Sequence, residues 1–264
     1  MLYNSFEFVL FVCTTLLAYR LSGSMRPRIL LVASVIFYCF WSIPYAGLLA
    51  LNVIWAYALG RRIQECASAQ SKSRWLAAGL LGLAANLVFF KYATDLNSLF
   101  YWSLGLFGRA GEAHPVLRIA APLGISYTTF KLMSYLIDVY WEKSSATDSV
   151  TSLALYTFFF PQIISGPIQR FVDFCPQIRT AVICPPFFTS GLRLLLFGFF
   201  KKWVIADPLY AVVDKAFANP AASTGAGLLI AMYCFAFQIY ADFSAITDIA
   251  RGTAALFGFQ TPEN

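Results

Sequence analysis

The strongest constraint on this chain is a series of apolar segments separated by short polar loops, at about 6–19, 29–42, 44–60, 75–90, 119–140, 150–165, 187–204 and 226–241. In a bilayer such segments must satisfy their own backbone hydrogen bonds, which predicts helices. Several fall short of the roughly 20 residues that cross a bilayer, so some are expected to be tilted, extended by their flanks or re-entrant. The expected fold class is all-α, a polytopic integral membrane helical bundle of about eight to nine membrane helices. It reads as one membrane domain over 1–264, without a low-complexity linker.

Composition agrees with a membrane environment. Hydrophobic residues make up 59% of the chain and charged residues 12%, against roughly a quarter charged in soluble domains. The net charge of +6 is explained by basic loops; no basic stripe with interleaved stacking aromatics exists, which argues against nucleic acid. The six cysteines form no CxxC pair, and Cys13, Cys39 and Cys234 lie in apolar runs as small buried hydrophobes. Neither a disulfide framework nor a metal site is indicated.

The N-terminus does not read as a signal peptide, because Glu7 comes early and the first basic residue is Arg20. Arg20, Arg26 and Arg28 follow the first apolar segment, and Arg61, Arg62, Lys72 and Arg74 follow the third. The positive-inside rule places both loops in the cytoplasm and the N-terminus outside. After Lys91 the basic residues are spread too evenly for the rule to decide. The connection 91–118 contains "LFYWSLGLFG", whose aromatics predict an interfacial or re-entrant stretch.

Polar residues inside apolar segments are the candidates for function, since membrane burial of charge is costly. In 122–141, Tyr127, Lys131, Ser134 and Asp138 share one helical face. Lys131 and Asp138 are about 10 Å apart along the axis, too far to pair, so each needs a partner on another helix or water. A snorkelling lysine and an interfacial aspartate are the structural alternative. The segment 158–171, "FFFPQIISGPIQRF", is broken by Pro161, Gly166 and Pro167, and carries Ser165 and Arg170. Its freed backbone groups must be met by protein or line a wet cavity, although a plain kink is an equal competitor. Lys201 and Lys202 end an apolar run just before Asp207 and Pro208. They read either as interfacial anchors or as point charges for the phosphates of a nucleotide-bearing donor.

The richest stretch is 236–252, "AFQIYADFSAITDIARG". Ser244, Thr247, Asp248 and Arg251 occupy one helical face, with Gln238 and Asp242 on a neighbouring one. Asp248 and Arg251, three apart, are spaced to pair. Asp242 has no cation at helical spacing and is expected to face the bundle interior or a cavity.

Four blocks in order, "PLGISYTTFKLMSYLIDVY", "FFPQIISGPIQRF", "GFFKKWVIAD" and "FQIYADFSAITDIARGTAALFGFQTPEN", resemble the membrane-bound O-acyltransferase family, in particular its bacterial alginate O-acetylating branch. The resemblance implies a ring of helices around a passage where a cytoplasmic acyl donor, acetyl-CoA, meets an acceptor reached from outside. It further implies an inner-membrane location, membrane lipid, periplasmic polysaccharide-modifying partner proteins and an extracytoplasmic polysaccharide as partners, and no bound cofactor. Gln238, Asp242, Ser244, Asp248, Ser134, Asp138, Ser165 and Arg170 become candidates for lining the channel.

Two departures stand out. The family's "DFSGYSD" reads "DFSAITD" here, with Ala245 where glycine is usual. The family's catalytic histidine follows the "PEN" motif, whereas this sequence ends at Pro262, Glu263 and Asn264. The fold is therefore expected to be incomplete relative to the family, and the isolated chain inactive. The only histidine, His114, matches no family motif, so no catalytic residue is assigned. Alternatives are an ion-coupled transporter built on Asp138, Asp242, Asp248 and the broken segment, which lacks the expected internal repeat, and a non-catalytic truncated remnant.

Overall fold

The computed structural model describes residues 3, 5–106, 121–164 and 166–263. His114 and Ser165 lie outside them. The described chain is helical, with no strand. In order it forms α1 (Phe6–Leu21), α2 (Arg26–Cys39), α3 (Ile43–Glu65), α4 (Ala69–Leu106), α5 (Ile125–Tyr140), α6 (Val150–Phe158), the single turns α7 (Phe171–Phe174) and α8 (Gln177–Thr180), α9 (Pro185–Phe200), α10 (Asp207–Ala218) and α11 (Gly225–Leu256). A π-helical stretch, Lys201–Ala206, joins α9 directly to α10.

This is an all-helical membrane protein, and the expected helix count is matched only roughly. Among the described residues, three helical stretches are long and apolar enough to cross a membrane alone: Ile43–Glu65, Ala69–Ala93 within α4, and Gly225–Leu256. With 16 residues in α1 and 14 in α2, at about 1.5 Å per residue, these helices are shorter than a hydrocarbon core of about 30 Å. The connection expected at 91–118 is instead helical as far as Leu106. Between Lys91 and Leu104 there is no glycine or proline to stop the helix.

The helices group into two compact units, neither contiguous in sequence. One comprises 38–158 and 170–172. Within it α5 packs against α3, α4 and α6, and Leu132, Tyr135 and Leu136 of α5 are wholly buried. Helix α5 starts after Gly124, whose φ of 64° is a left-handed conformation suited to glycine. Tyr38 closes this end by donating its hydroxyl to the Leu123 carbonyl.

The second unit comprises 1–37, 159–169 and 173–264. Phe8, Phe37, Phe160 and Phe257 form part of an aromatic core, made edge-on between Phe8 and Phe160 and between Phe160 and Phe257. Tyr3 donates to the Phe160 carbonyl at 2.6 Å, and Ser34 accepts from the Phe160 amide. These bonds satisfy backbone freed where the segment breaks at Pro161. Helices α9 and α11 touch through their backbones: a Cβ on Gly252 would lie 2.7 Å from the Gly191 carbonyl oxygen. In lipid, where apolar burial gives little drive to association, such close approach supplies the packing. Ala245 is fully buried, and its carbonyl lies 3.0 Å from where a Gly198 Cβ would sit. Glycine on α9 thus makes room beside Ala245.

Candidate functional site

The unit built from α9 to α11 concentrates its charge in one place. The π-helical stretch closes its hydrogen bonds one residue further along than an α-helix, so more residues share a turn and neighbouring side chains diverge less. Lys201 and Lys202 can therefore both reach α11. Lys201 donates to Asp248 at 2.5 Å and to Ser244 at 2.7 Å. Lys202 donates to Asp242 at 2.7 Å and pairs with Asp207 at 2.9 Å. Asp207 opens α10 where it continues directly from the π-helical stretch, its amide bonded to the Lys202 carbonyl.

Two ammonium groups are thus held by three carboxylates. The expected Asp248–Arg251 pair does not form: Asp248 takes Lys201 from the π-helical stretch, and Arg251 turns to Glu263 at 3.0 Å. A partner arriving across the helix interface displaces the local i,i+3 contact, which is a weak one, about 0.2–0.5 kcal/mol. Asp242, without a cation at helical spacing, finds one forty positions back.

Tyr240, Phe243, Ser244, Thr247, Asp248 and Arg251 line a depression of about 240 Å³ along α11. Thr247 is buried and its hydroxyl has no hydrogen-bond partner among the described residues. Among the described residues the buried Arg251 Nε is also unpartnered, as is the Gln238 Oε1 one to two turns before Ser244. These groups offer hydrogen bonds to an oxygen-rich ligand. The broken segment adds Gln162, which sequence reasoning missed: it is fully buried and neither amide atom is bonded among the described residues. Its position beside Pro161, in a segment whose backbone must be satisfied, was the available signal.

The unit of 38–158 and 170–172 holds the other candidates. Lys131 is buried, donates to the Tyr156 carbonyl in the last turn of α6, and lies 4.1 Å from the Tyr156 ring centre. An ammonium there satisfies a carbonyl left free at a helix C-terminus. Asp138 is buried and accepts from Arg170 at 3.2 Å, while its other oxygen has no hydrogen bond among the described residues. Lys131 and Asp138 each find a partner outside α5, as their separation requires. Ser134 is half-buried on the same helix. No group of three or more potential metal ligands occurs among the described residues, and those residues include no histidine.

A family model described as MBOAT, membrane-bound O-acyltransferase family, matches residues 142–264, a stretch that contains the whole lysine–carboxylate cluster. The probable alginate O-acetylase AlgI of Azotobacter vinelandii is 35% identical over 266 residues, covering 99% of this chain and 52% of that protein. The peptidoglycan O-acetyltransferase of Helicobacter pylori is 29% identical over 267 residues, covering 90% of this chain and 49% of that protein. The teichoic acid D-alanyltransferase of Bacillus subtilis is 29% identical over 157 residues, covering 57% and 39%. The chain spans about half the length of the curated relatives it matches most fully.

Proposed function

The chain belongs to the membrane-bound O-acyltransferase family, and on that footing we propose that it is part of an enzyme that moves acetyl groups across the membrane onto an extracytoplasmic, alginate-like polysaccharide. The named activities of its relatives support this reading: an alginate O-acetylase, a peptidoglycan O-acetyltransferase and a teichoic acid D-alanyltransferase each acylate a polymer. Acetyl-CoA is the proposed donor, and periplasmic polysaccharide-modifying proteins the proposed partners, at the inner membrane with the N-terminus outside.

The observation that carries the site assignment is the charged cluster on α11, with polar atoms left unpartnered along the same helix. Lys201 and Lys202 hold Ser244, Asp242 and Asp248 in fixed positions. Thr247 and Arg251 retain hydrogen-bonding capacity for the acceptor's hydroxyls or the acyl carbonyl. Acyl transfer to a hydroxyl also needs a base, for which histidine is the usual choice near neutral pH. In this reading the base comes from outside the 264 residues. Asp138, Arg170, Ser134 and Ser165 remain proposed channel residues on the same footing.

The test has two arms. The 264-residue chain in membranes, given labelled acetyl-CoA and alginate, is expected to transfer no acetyl. In a longer active enzyme carrying this sequence, Asp242→Asn is expected to lower acetylation at unchanged membrane abundance, because Lys202 keeps Asp207. If abundance and activity fall in parallel, Asp242 holds helices together and is not part of the transfer site.

A further inference from the structure

The hairpin of α1 and α2 carries a second feature, separate from the charged cluster and independent of the transfer reaction. Between the two helices runs a groove of about 470 Å³, walled by Phe11, Ala18, Ile29, Val32 and Ile36. Its size falls within the range of small-ligand sites, roughly 300–1,000 Å³. The one exposed threonine of its wall, Thr14, spends its hydroxyl on the Leu10 and Phe11 carbonyls, so the wall offers almost no polar group.

Arg28 stands at the hairpin end of this groove. It is exposed, and among the described residues its guanidinium donates only to the Met25 sulfur, a weak acceptor. Arg20 and Arg26 flank the same turn; the Arg26 guanidinium lies 5.6 Å from the Tyr19 ring centre, and its buried Nε has no hydrogen-bond partner among the described residues. None of the three forms an ion pair among the described residues, and the sequence has no acidic residue between Glu7 and Glu65. The first turn of a helix is also where the macrodipole disfavours cations. A largely apolar slot ending in arginines that lack an acidic partner among the described residues is complementary to one kind of molecule, an amphiphile with an apolar tail and an anionic head.

We propose that the α1–α2 groove is a binding site for an anionic glycerophospholipid, with one acyl chain between the helices and the phosphate at Arg28. Basic pockets between membrane helices on the cytoplasmic side bind anionic head groups, and the positive-inside pattern puts this turn on that side.

The test uses the full chain reconstituted in mixed phosphatidylglycerol and phosphatidylcholine nanodiscs, released into the gas phase, with retained lipids weighed. Phosphatidylglycerol is expected to be retained in preference. Arg28→Gln should lower that retention about five-fold, as expected for one arginine at an anionic head group, and leave phosphatidylcholine unchanged. Ala18→Trp and Val32→Trp, both at exposed positions on the groove wall, should displace the chain and abolish the preference while helix content by circular dichroism stays constant. Equal retention of the two lipids would overturn the site. So would a preference that survives both tryptophans, which would mark a basic surface reading head groups without a groove.

Discussion

The Lys202 ammonium lies 2.7 Å from the Asp242 carboxylate and 2.9 Å from that of Asp207, so one cation serves two acids on different helices. The arrangement is asymmetric, and the asymmetry can be measured. Asp242→Asn leaves Lys202 its second acid and is expected to cost about 1 kcal/mol. Lys202→Met leaves two carboxylates without their cation and is expected to cost about 2–3 kcal/mol. That lies toward the cost of breaking buried pairs, about 3–5 kcal/mol, reduced because both side chains are partly exposed. Thermal unfolding in detergent checks the order; an equal cost for the two changes would mean that Asp207 contributes nothing.

The contact of α9 with α11 makes a second prediction. Cβ atoms on Gly252 and Gly191 would meet backbone at 2.7 and 2.8 Å, and backbone cannot step aside. Gly252→Ala is expected to destabilise by about 1–3 kcal/mol, in the range of overpacked cores, and to disturb the Lys201–Asp248 register one turn away. Gly47→Ala, inside α3 with nothing within 4 Å, should stabilise by about 0.5–1 kcal/mol. A harmless Gly252→Ala would show that these helices do not approach this closely.

Arg170 and Asp138 make the opposite kind of pair. Asp138 is buried and Arg170 is half-exposed, so the carboxylate depends on the guanidinium more than the reverse. Arg170→Gln should destabilise by about 2–4 kcal/mol, since it leaves a buried charge with no cation. Adding Asp138→Asn should recover most of that loss by removing the charge. If the double variant is no better than the single one, Arg170 acts through packing instead of charge.

These residues also mark what the sequence does and does not reveal. The shared face of Lys131, Ser134 and Asp138 follows from helical spacing, and so does the need for partners outside α5, because 1.5 Å per residue keeps the two charges apart. The identity of those partners does not follow. Tyr156 offers a backbone carbonyl, which any residue type would supply, and Arg170 comes from beyond a broken segment. The choice of Lys201 over Arg251 by Asp248 is likewise invisible, since the local pair is well spaced and the winning one joins positions 47 apart. The π-helical turn that brings both lysines to α11 has no residue signature at all. The glycine contacts are clearer in retrospect: Gly191, Gly198 and Gly252 are small residues inside helices, the composition expected where membrane helices touch.

Glu142 tests how the end of α5 is held. Its φ is 57°, a left-handed conformation that disfavours side chains. It closes the helix through its amide to the Val139 carbonyl, followed by the Lys143 amide to that of Asp138. Lys72 donates to its carboxylate at 2.6 Å, and that hydrogen bond, aided by the lysine's charge, holds the carboxyl below its usual range. A depressed folded value means that the pair stabilises fully above the ordinary glutamate value of about 4.3 and loses its effect as pH falls through the lowered one. Glu142→Gln should therefore abolish this acid-side change in stability, and added salt should weaken it in the parent chain because the pair is exposed. Glu142→Gly loses the same charge but relieves the backbone, and should unfold at a higher temperature than Glu142→Gln at every pH. Unfolding curves of the three chains from pH 3 to 7 decide it: a glycine variant no more stable than the glutamine one would mean that the left-handed turn carries no strain.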